Sequence, residues 1–452
     1  MAPDEIWPVK SSSAARKTSE VLGFIEENDI KFIRLAFCDI FGNQKNITIM
    51  PTELKRAFEE GVSFDASAVT GFMNVEESDL LLIPEASTMY LLPWRMQHGR
   101  VVRFFCNIKH PDGRNFEGDC RNILKQVIKE SRDKGFVCKI GCESEFYLFE
   151  QDEFGNPTMI PYDRGTYCDI YPSDRCENIR RDICLSLEEM GIKTTSSHHE
   201  QGTGQNEIDY EYSDALTAAD NLISFRSLVK TKACENGLFA SFMPKPLNIE
   251  CGSGLHINIS LYKDGVNLFK DKSSDNYKYT KKFLAGILNR IEEITLFLNS
   301  STNSYARLGK DKAPKYITWS KENRSQLIRI PASKGDRCRM ELRSPDSSCN
   351  PYIAFALLIK AGIEGIENNL ELCEPKNINL FDIDENKVND LKKLPQDLNE
   401  AINLAKDSEF IKTVLPQKTI ENYINDKKKE WDIYSSITDK FKAEKELYFE
   451  VL

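Results

Sequence analysis

Apolar and polar positions change rhythm along the chain. From residue 19 to about 109 the apolar runs are short. Positions 20–28 read as a helix. Positions 32–38 and 45–49 read as strands, joined by Asp39-Ile40-Phe41-Gly42-Asn43, whose Asp, Gly and Asn are turn formers. A further strand at 101–108 and a turn at Pro111-Asp112-Gly113 complete a small α+β unit. Beyond it the elements lengthen. Ile123, Val127 and Ile128 form one helical stripe in 122–134; Ile179, Ile183 and Leu187 do so in 176–190, which Gly191 stops. Ser213 as cap predicts a helix over 214–236, closed by Gly237. Asn350-Pro351 starts another that runs to about 369, because Asn caps well and Pro suits the first turn. Strands are expected at 139–149, 193–199, 206–212, 254–261, 326–331 and 337–343, and 387–442 is polar and mostly helical. This mixture has no βαβ rhythm, so the expected fold class is α+β with an antiparallel-dominated sheet. The expected division is a loose polar extension over 1–18, a small domain over 19–113 and a large one over 114–452.

Composition narrows the picture. Sixty Lys+Arg against seventy Asp+Glu leave a net charge of −10, which excludes the basic surface that nucleic acid or an anionic membrane would need. The longest apolar stretches, at 80–84 and 353–359, fall far short of the roughly 18 residues of a membrane span. The N-terminus carries acids where a secretory signal has Lys or Arg. Thirteen Cys without a CxxC pair read as reduced thiols, so a cytoplasmic location is expected.

The chemistry lies in four motifs. Glu143-Ser144-Glu145 sits in an apolar strand, where a period of two sends both carboxylates to one face. Alone, two Glu on a strand face are commonplace. His198-His199-Glu200 is followed, seven residues after Glu200, by Glu207; Gly252-Ser253-Gly254-Leu255-His256 and the alternating Arg339-Met340-Glu341-Leu342-Arg343 come later. Hard divalent cations such as Mg²⁺ and Mn²⁺ take carboxylate oxygens, and Mn²⁺ tolerates an imidazole better. Five clustered acids without a cation would repel one another, so Glu143, Glu145, Glu200, Glu207, Glu341 and His256 predict a two-metal site. Arg307, Arg324, Arg329, Arg339 and Arg343 supply the opposite charge, in forks suited to carboxylate and phosphate. Together they point to phosphoryl transfer onto a carboxylate.

In order along the chain stand Phe116-Glu117-Gly118-Asp119, Gly141-Cys142-Glu143-Ser144-Glu145, His198-His199-Glu200 with Gly204-Gln205-Asn206-Glu207, Phe242-Met243-Pro244-Lys245-Pro246, Gly252-Ser253-Gly254-Leu255-His256, Asn303-Ser304-Tyr305, Asn323-Arg324-Ser325 with Ile328-Arg329-Ile330-Pro331, and the Arg339 motif with Asn350-Pro351-Tyr352. This series closely resembles bacterial type I glutamine synthetases, from about residue 19 to the end. The resemblance implies a small N-terminal β-grasp domain before a large catalytic domain. It also implies a homo-oligomer, a dodecamer of two stacked hexameric rings with active sites completed between subunits. The implied substrates are ATP, L-glutamate and ammonia, joined through a γ-glutamyl phosphate, with two or more Mg²⁺ or Mn²⁺ per site. It assigns Glu145, Glu200 and Glu207 to the cation nearer glutamate, and Glu143, His256 and Glu341 to the one nearer the phosphates. Arg307, Arg343, Glu145 and the backbone of Gly252 would hold glutamate; Arg324, Arg329, Arg339 and Ser260 would face ATP. Asp65 would receive ammonium beside Tyr167, and Asp65, Arg307 and Arg324 are the implied catalytic residues.

The chain departs from the pattern on the acceptor side. Asp65-Ala66-Ser67-Ala68 replaces Asp-Gly-Ser-Ser, and the flap Gly309-Lys310-Asp311-Lys312-Ala313-Pro314 has Lys312 where many members have Glu. Asn258 replaces a His of the nucleotide region. The flap leaves open two alternatives to glutamine formation: a γ-glutamyl ligase for a larger amine, and a non-enzymatic scaffold or regulator. The complete ligand set argues against the last.

Overall fold

A computed structural model describes residues 17–73, 75, 78–94 and 99–452; residues 1–16 of the expected extension lie outside the described residues. Six strands form the smaller sheet: β1 Ile30–Cys38, β2 Gln44–Ile49, β3 Val62–Asp65, β4 Asp79–Pro84, β5 Tyr90–Leu91 and β6 Arg100–Lys109. Their order is β2-β1-β6-β4-β3, with β5 on β6, and among these pairs only β1 and β6 run parallel.

The larger sheet has eleven strands: β7 Val137–Gln151, β8 Pro157–Pro161, β9 Thr194–His199, β10 Gln205–Tyr210, β11 Ser213–Asp214, β12 Leu238–Ser241, β13 Leu255–Lys263, β14 Val266–Asn267, β15 Trp319–Lys321, β16 Ile328–Ile330 and β17 Met340–Leu342. Its main order is β15-β16-β17-β13-β7-β10-β9, antiparallel except between β15 and β16. The expected antiparallel-dominated α+β architecture is present. Strand β7 sits at its centre because its even positions are apolar or small. Ile140, Cys142, Ser144, Phe146 and Leu148 are at most 1% exposed, and Phe146 packs edge-on against Phe225 of the helix Ala215–Glu235. The odd positions, including Glu143 and Glu145, are left to face the opposite side. Period two therefore separates core from site.

Helices cover the apolar face. Tyr277–Leu298 and Pro351–Glu367 pack together, with Phe283, Leu284, Ile287 and Ile291 of the first buried. Sequence patterning had not predicted the helix Tyr277–Leu298, although its buried positions recur at three- and four-residue steps. The cap of Ala215–Glu235 is Asp214, whose carboxylate accepts the Thr217 N–H, not Ser213, which pairs with Ile140 across the sheet. Asn350 caps Pro351–Glu367 as expected, and its Nδ2 also donates to the carbonyls of Asp39 and Ile40. That contact locks the β1–β2 turn of the smaller sheet to the larger part. A Cβ on Gly42, which has φ +85°, would come within 2.8 Å of Asn350 Cα. The predicted strand at 337–343 shrinks to Met340–Leu342, because Gly335–Arg337 turns as a short 3₁₀ helix.

Candidate active site

Register across the large sheet assembles the site. Glu207 in β10 stands opposite His198 in β9 and Glu145 in β7. Two residues on, Asp209 stands opposite Glu143, which stands opposite His256 in β13. Glu341 in β17 stands between Asn258 in β13 and Arg329 in β16. Residues two apart share a face and neighbouring strands lie about 4.8 Å apart, so these rows form one charged floor. It lines a cavity of about 520 Å³ that collects all six sequence-predicted cation ligands, Arg307, Arg324, Arg329, Arg339, Arg343, Gly252, Tyr167, Asp311 and Lys312.

Two clusters on this floor have ligand atoms all within 4.8 Å of one another: Glu143, His256 and Glu341, and His198, Glu200 and Glu207. The first is the set expected on the phosphate side. In the second His198 stands with Glu200 and Glu207, while Glu145 aims Oε2 at the Gly254 N–H (2.8 Å) and Gln205 Nε2 (3.1 Å). His198 Nε2 lies 3.2 Å from Glu200 Oε1, and the Tyr167 ring stands edge-on to it at 5.3 Å.

Burial works against the charge on Glu143, but His256 and Asn258 bonds and the Arg339 cation bring its pKa down to about 2. Asn258 thereby gains a purpose: Nδ2 donates to Glu143 at 2.8 Å while Oδ1 accepts from Arg339 Nε at 2.8 Å. Burial also opposes the charge on Glu341, and His256, Arg343 and Arg329 hold its pKa below the usual range. Glu207 goes the other way. Burial, then the charges of Glu145, Asp209, Glu143 and Glu200, push it well up. Seven carboxyl groups and two imidazoles line this one cavity, and the six carboxyl groups on its floor, Asp311 of the flap aside, form with the imidazoles a hard-cation donor set whose mutual repulsion a divalent ion would relieve. The residues therefore fit divalent cations.

Arg307 is buried, its Nη1 donating to the carbonyls of Ser344 (2.7 Å) and Pro345 (3.2 Å). It can lie there only because residue 252 is glycine: a Cβ at Gly252 would come within 2.8 Å of Arg307 Cγ and 2.7 Å of the Pro244 carbonyl. Arg343 and Arg329 both bond the Glu341 carboxylate, which ties two of the sequence-predicted arginines to a candidate ligand.

Two predicted residues do not line the cavity. Ser260 is buried in β13 with its hydroxyl donating to the Cys338 carbonyl. Asp65 ends β3, where its carboxylate accepts from the Ser67 N–H and hydroxyl. Conversely, His198, Gln205 and Asp209 line the cavity although no role had been assigned to them. The signal for His198 and Asp209 was alternation, since each stands two positions from a predicted ligand.

The chain matches two family models. Residues 29–111 match the glutamine synthetase β-grasp domain and residues 117–446 the glutamine synthetase catalytic domain. A curated glutamine synthetase from Clostridium saccharobutylicum is 44% identical over 426 residues, covering 93% of this chain and 96% of its own. One from Methanosarcina mazei is 45% identical, covering 92% and 95%. Among solved structures, a GmaS complex with ADP superposes with a TM-score of 0.84 at 27% identity, covering 94% of this chain and 99% of that one. Plasmodium falciparum glutamine synthetase gives 0.83 at 25% identity, covering 95% and 98%.

Proposed function

The chain belongs to the glutamine synthetase family, and we propose that this one cavity carries both half-reactions of ATP-dependent glutamine formation from L-glutamate and ammonia. The observation that carries the reading is the joint lining: both acidic clusters, the glutamate-binding arginines and the phosphate-facing arginines border the same 520 Å³ space.

Arg307 and Arg343, with the backbone at Gly252, hold the substrate glutamate. Arg324, Arg329 and Arg339 face the nucleotide phosphates and spread their charge. Glu143, His256 and Glu341 would hold one divalent cation, and Glu200, Glu207 and Glu145, with His198 beside them, a second; Mg²⁺ and Mn²⁺ both suit these donors. Such cations supply charge neutralisation for the transferring phosphoryl group. The γ-carboxylate of glutamate attacks the γ-phosphorus, the bond to the β-phosphate oxygen breaks, and ADP leaves. Ammonia then attacks the acyl carbon of γ-glutamyl phosphate, loses a proton and expels phosphate. Flap residues 309–314 border the cavity and would keep water from the acyl phosphate.

Asp65 lies off the cavity of its own chain, so its acceptor role belongs to a site completed by a neighbouring subunit, within a homo-oligomer of the dodecameric kind. Ser260 supports the nucleotide side through the strand it braces. ATP and glutamate as substrates put the enzyme in the cytoplasm; among the described residues no helix is long and apolar enough to cross a membrane. The test is phosphate release from ATP with glutamate and a panel of amines including ammonia, with the amide product identified by mass spectrometry. Glutamate-dependent release with glutamine as product is expected; release independent of glutamate would overturn the reading.

A further inference from the structure

Behind the cavity floor lies a buried pair with no role in the scheme above. His199 is fully buried and engaged at both ring nitrogens: Nδ1 lies 2.6 Å from the Glu200 carbonyl oxygen and Nε2 lies 2.9 Å from Asp163 Oδ1. A carbonyl and a carboxylate can only accept, so the ring donates twice. Asp163 Oδ1 also accepts the Gly204 N–H at 2.9 Å, and its Oδ2 accepts the Arg175 N–H at 3.0 Å. The His199 carbonyl accepts the Cys168 N–H at 3.0 Å, next to Tyr167. The fit is close, since a Cβ at Gly165 would come within 2.7 Å of His199 Nε2. Asp174 stands near enough to complete a ligand triad, but Arg180 already holds its carboxylate at 2.5 Å.

The ring thus grips two sides of the active site from beneath. Its Nδ1 side fixes the peptide of Glu200, and its Nε2 side fixes the start of the loop that carries Tyr167 against His198. We infer that the His199–Asp163 pair is a positioning device that sets the Glu200 carboxylate for its cation and the Tyr167 loop for the acceptor amine. This rests on the cation reading of Glu200 proposed above. Groups that orient a ligand from behind typically change metal affinity 10–100-fold when altered.

The two sides can be separated chemically. In full-length His199→Asn the amide nitrogen takes the place of Nδ1 and the Asp163 contact is lost. In His199→Gln the amide nitrogen takes the place of Nε2 and the Glu200 contact is lost. Mn²⁺ binding is read by electron paramagnetic resonance of the free ion, alongside the KM for ammonium and for glutamate. For His199→Gln we expect about tenfold weaker Mn²⁺ binding with the ammonium KM within about threefold of wild type. For His199→Asn we expect the reverse, and an unchanged glutamate KM in both. Wild-type Mn²⁺ affinity in His199→Gln, or both variants losing Mn²⁺, ammonium and glutamate together, would overturn the inference. A wild-type enzyme without Mn²⁺ sites would instead overturn the cation reading itself. If neither variant folds, Gly165→Ala displaces the ring while keeping it. It should weaken Mn²⁺ binding and raise the ammonium KM, and wild-type behaviour on both would overturn the inference.

Discussion

Asp311 Oδ2 lies 2.6 Å from Lys245 Nζ, an ion pair between the flap and the Phe242-Met243-Pro244-Lys245 segment. Lys245 also donates to the Glu250 carbonyl. The flap's one carboxylate is therefore engaged, and no acid pairs with the exposed Lys312 among the described residues. Asp311 therefore offers no free carboxylate beside Lys312, the position at which the resemblance expects Glu.

Lys312→Glu should accordingly lower the ammonium KM several-fold, because two like charges about 4 Å apart repel by roughly 4 kcal/mol at an effective dielectric of 20, and solvent reduces but does not cancel this at an exposed site. Asp311→Ala should raise the same KM by leaving Lys245 unneutralised. Wild-type activity should rise with pH as more of the acceptor is neutral ammonia. Steady-state kinetics over an ammonium series check all three. Unchanged ammonium kinetics in Lys312→Glu, together with a larger amine as the better acceptor, would put the amine-ligase alternative first.

Glu145→Ala and Glu341→Ala should abolish phosphate release under saturating Mg²⁺ and Mn²⁺. They should differ in stability. Glu341 is 1% exposed and bonds both Arg329 and Arg343, so its loss strands a buried guanidinium and should cost about 3 kcal/mol, whereas Glu145→Ala should melt near wild type. Paired activity and denaturant-unfolding measurements read the contrast; near-wild-type activity in either variant would sink the two-cation reading.

Arg343→Lys should raise the glutamate KM strongly, since a point charge cannot reproduce a bidentate fork. Gly252→Ala should do the same indirectly, by forcing Arg307 off its place. The ATP KM is expected to move much less in the second variant. An unaltered glutamate KM in both would mean that the substrate carboxylate binds elsewhere.

Stability should fall in acid through Glu85. Burial opposes its charge, but Arg121 (2.6 Å) and Lys125 (2.5 Å) lower its pKa from 4.5 to about 2. A depressed carboxylate stabilises the fold fully above its unfolded pKa and loses that contribution as pH falls from 4.5 towards 2. With Glu85 partly exposed, the contribution at neutral pH is about 2 kcal/mol. Glu85→Gln should therefore unfold more easily than wild type at pH 7, with the gap closing in acid; a gap that stays constant down to about pH 2 would contradict the linkage.

Alternation and caps were legible in the sequence because they are local. Glu143 and Glu145 share a face through period two, as do Arg339, Glu341 and Arg343, and Asn350 caps its helix through its own side chain. The family, and the glutamates that line the cavity, could be read from motifs alone. Which residues meet across strands could not, because register is set by hydrogen bonding between segments far apart in the chain. His256 and Glu143 are 113 positions apart, and Lys245 and Asp311 are 66 apart. Ser213 and Asp214 are equally good caps in sequence, and only the structure decides between them: both pair with the central strand, but it is the Asp214 carboxylate that accepts the Thr217 N–H. Ser260 reads as a nucleotide contact, yet in the sheet its hydroxyl is buried and donates to the Cys338 carbonyl, and His199, to which the motif alone gives no role, is turned inward onto Asp163 by alternation. Local periodicity thus determined which side chains could face the substrate; the packing of strands against helices decided which ones do.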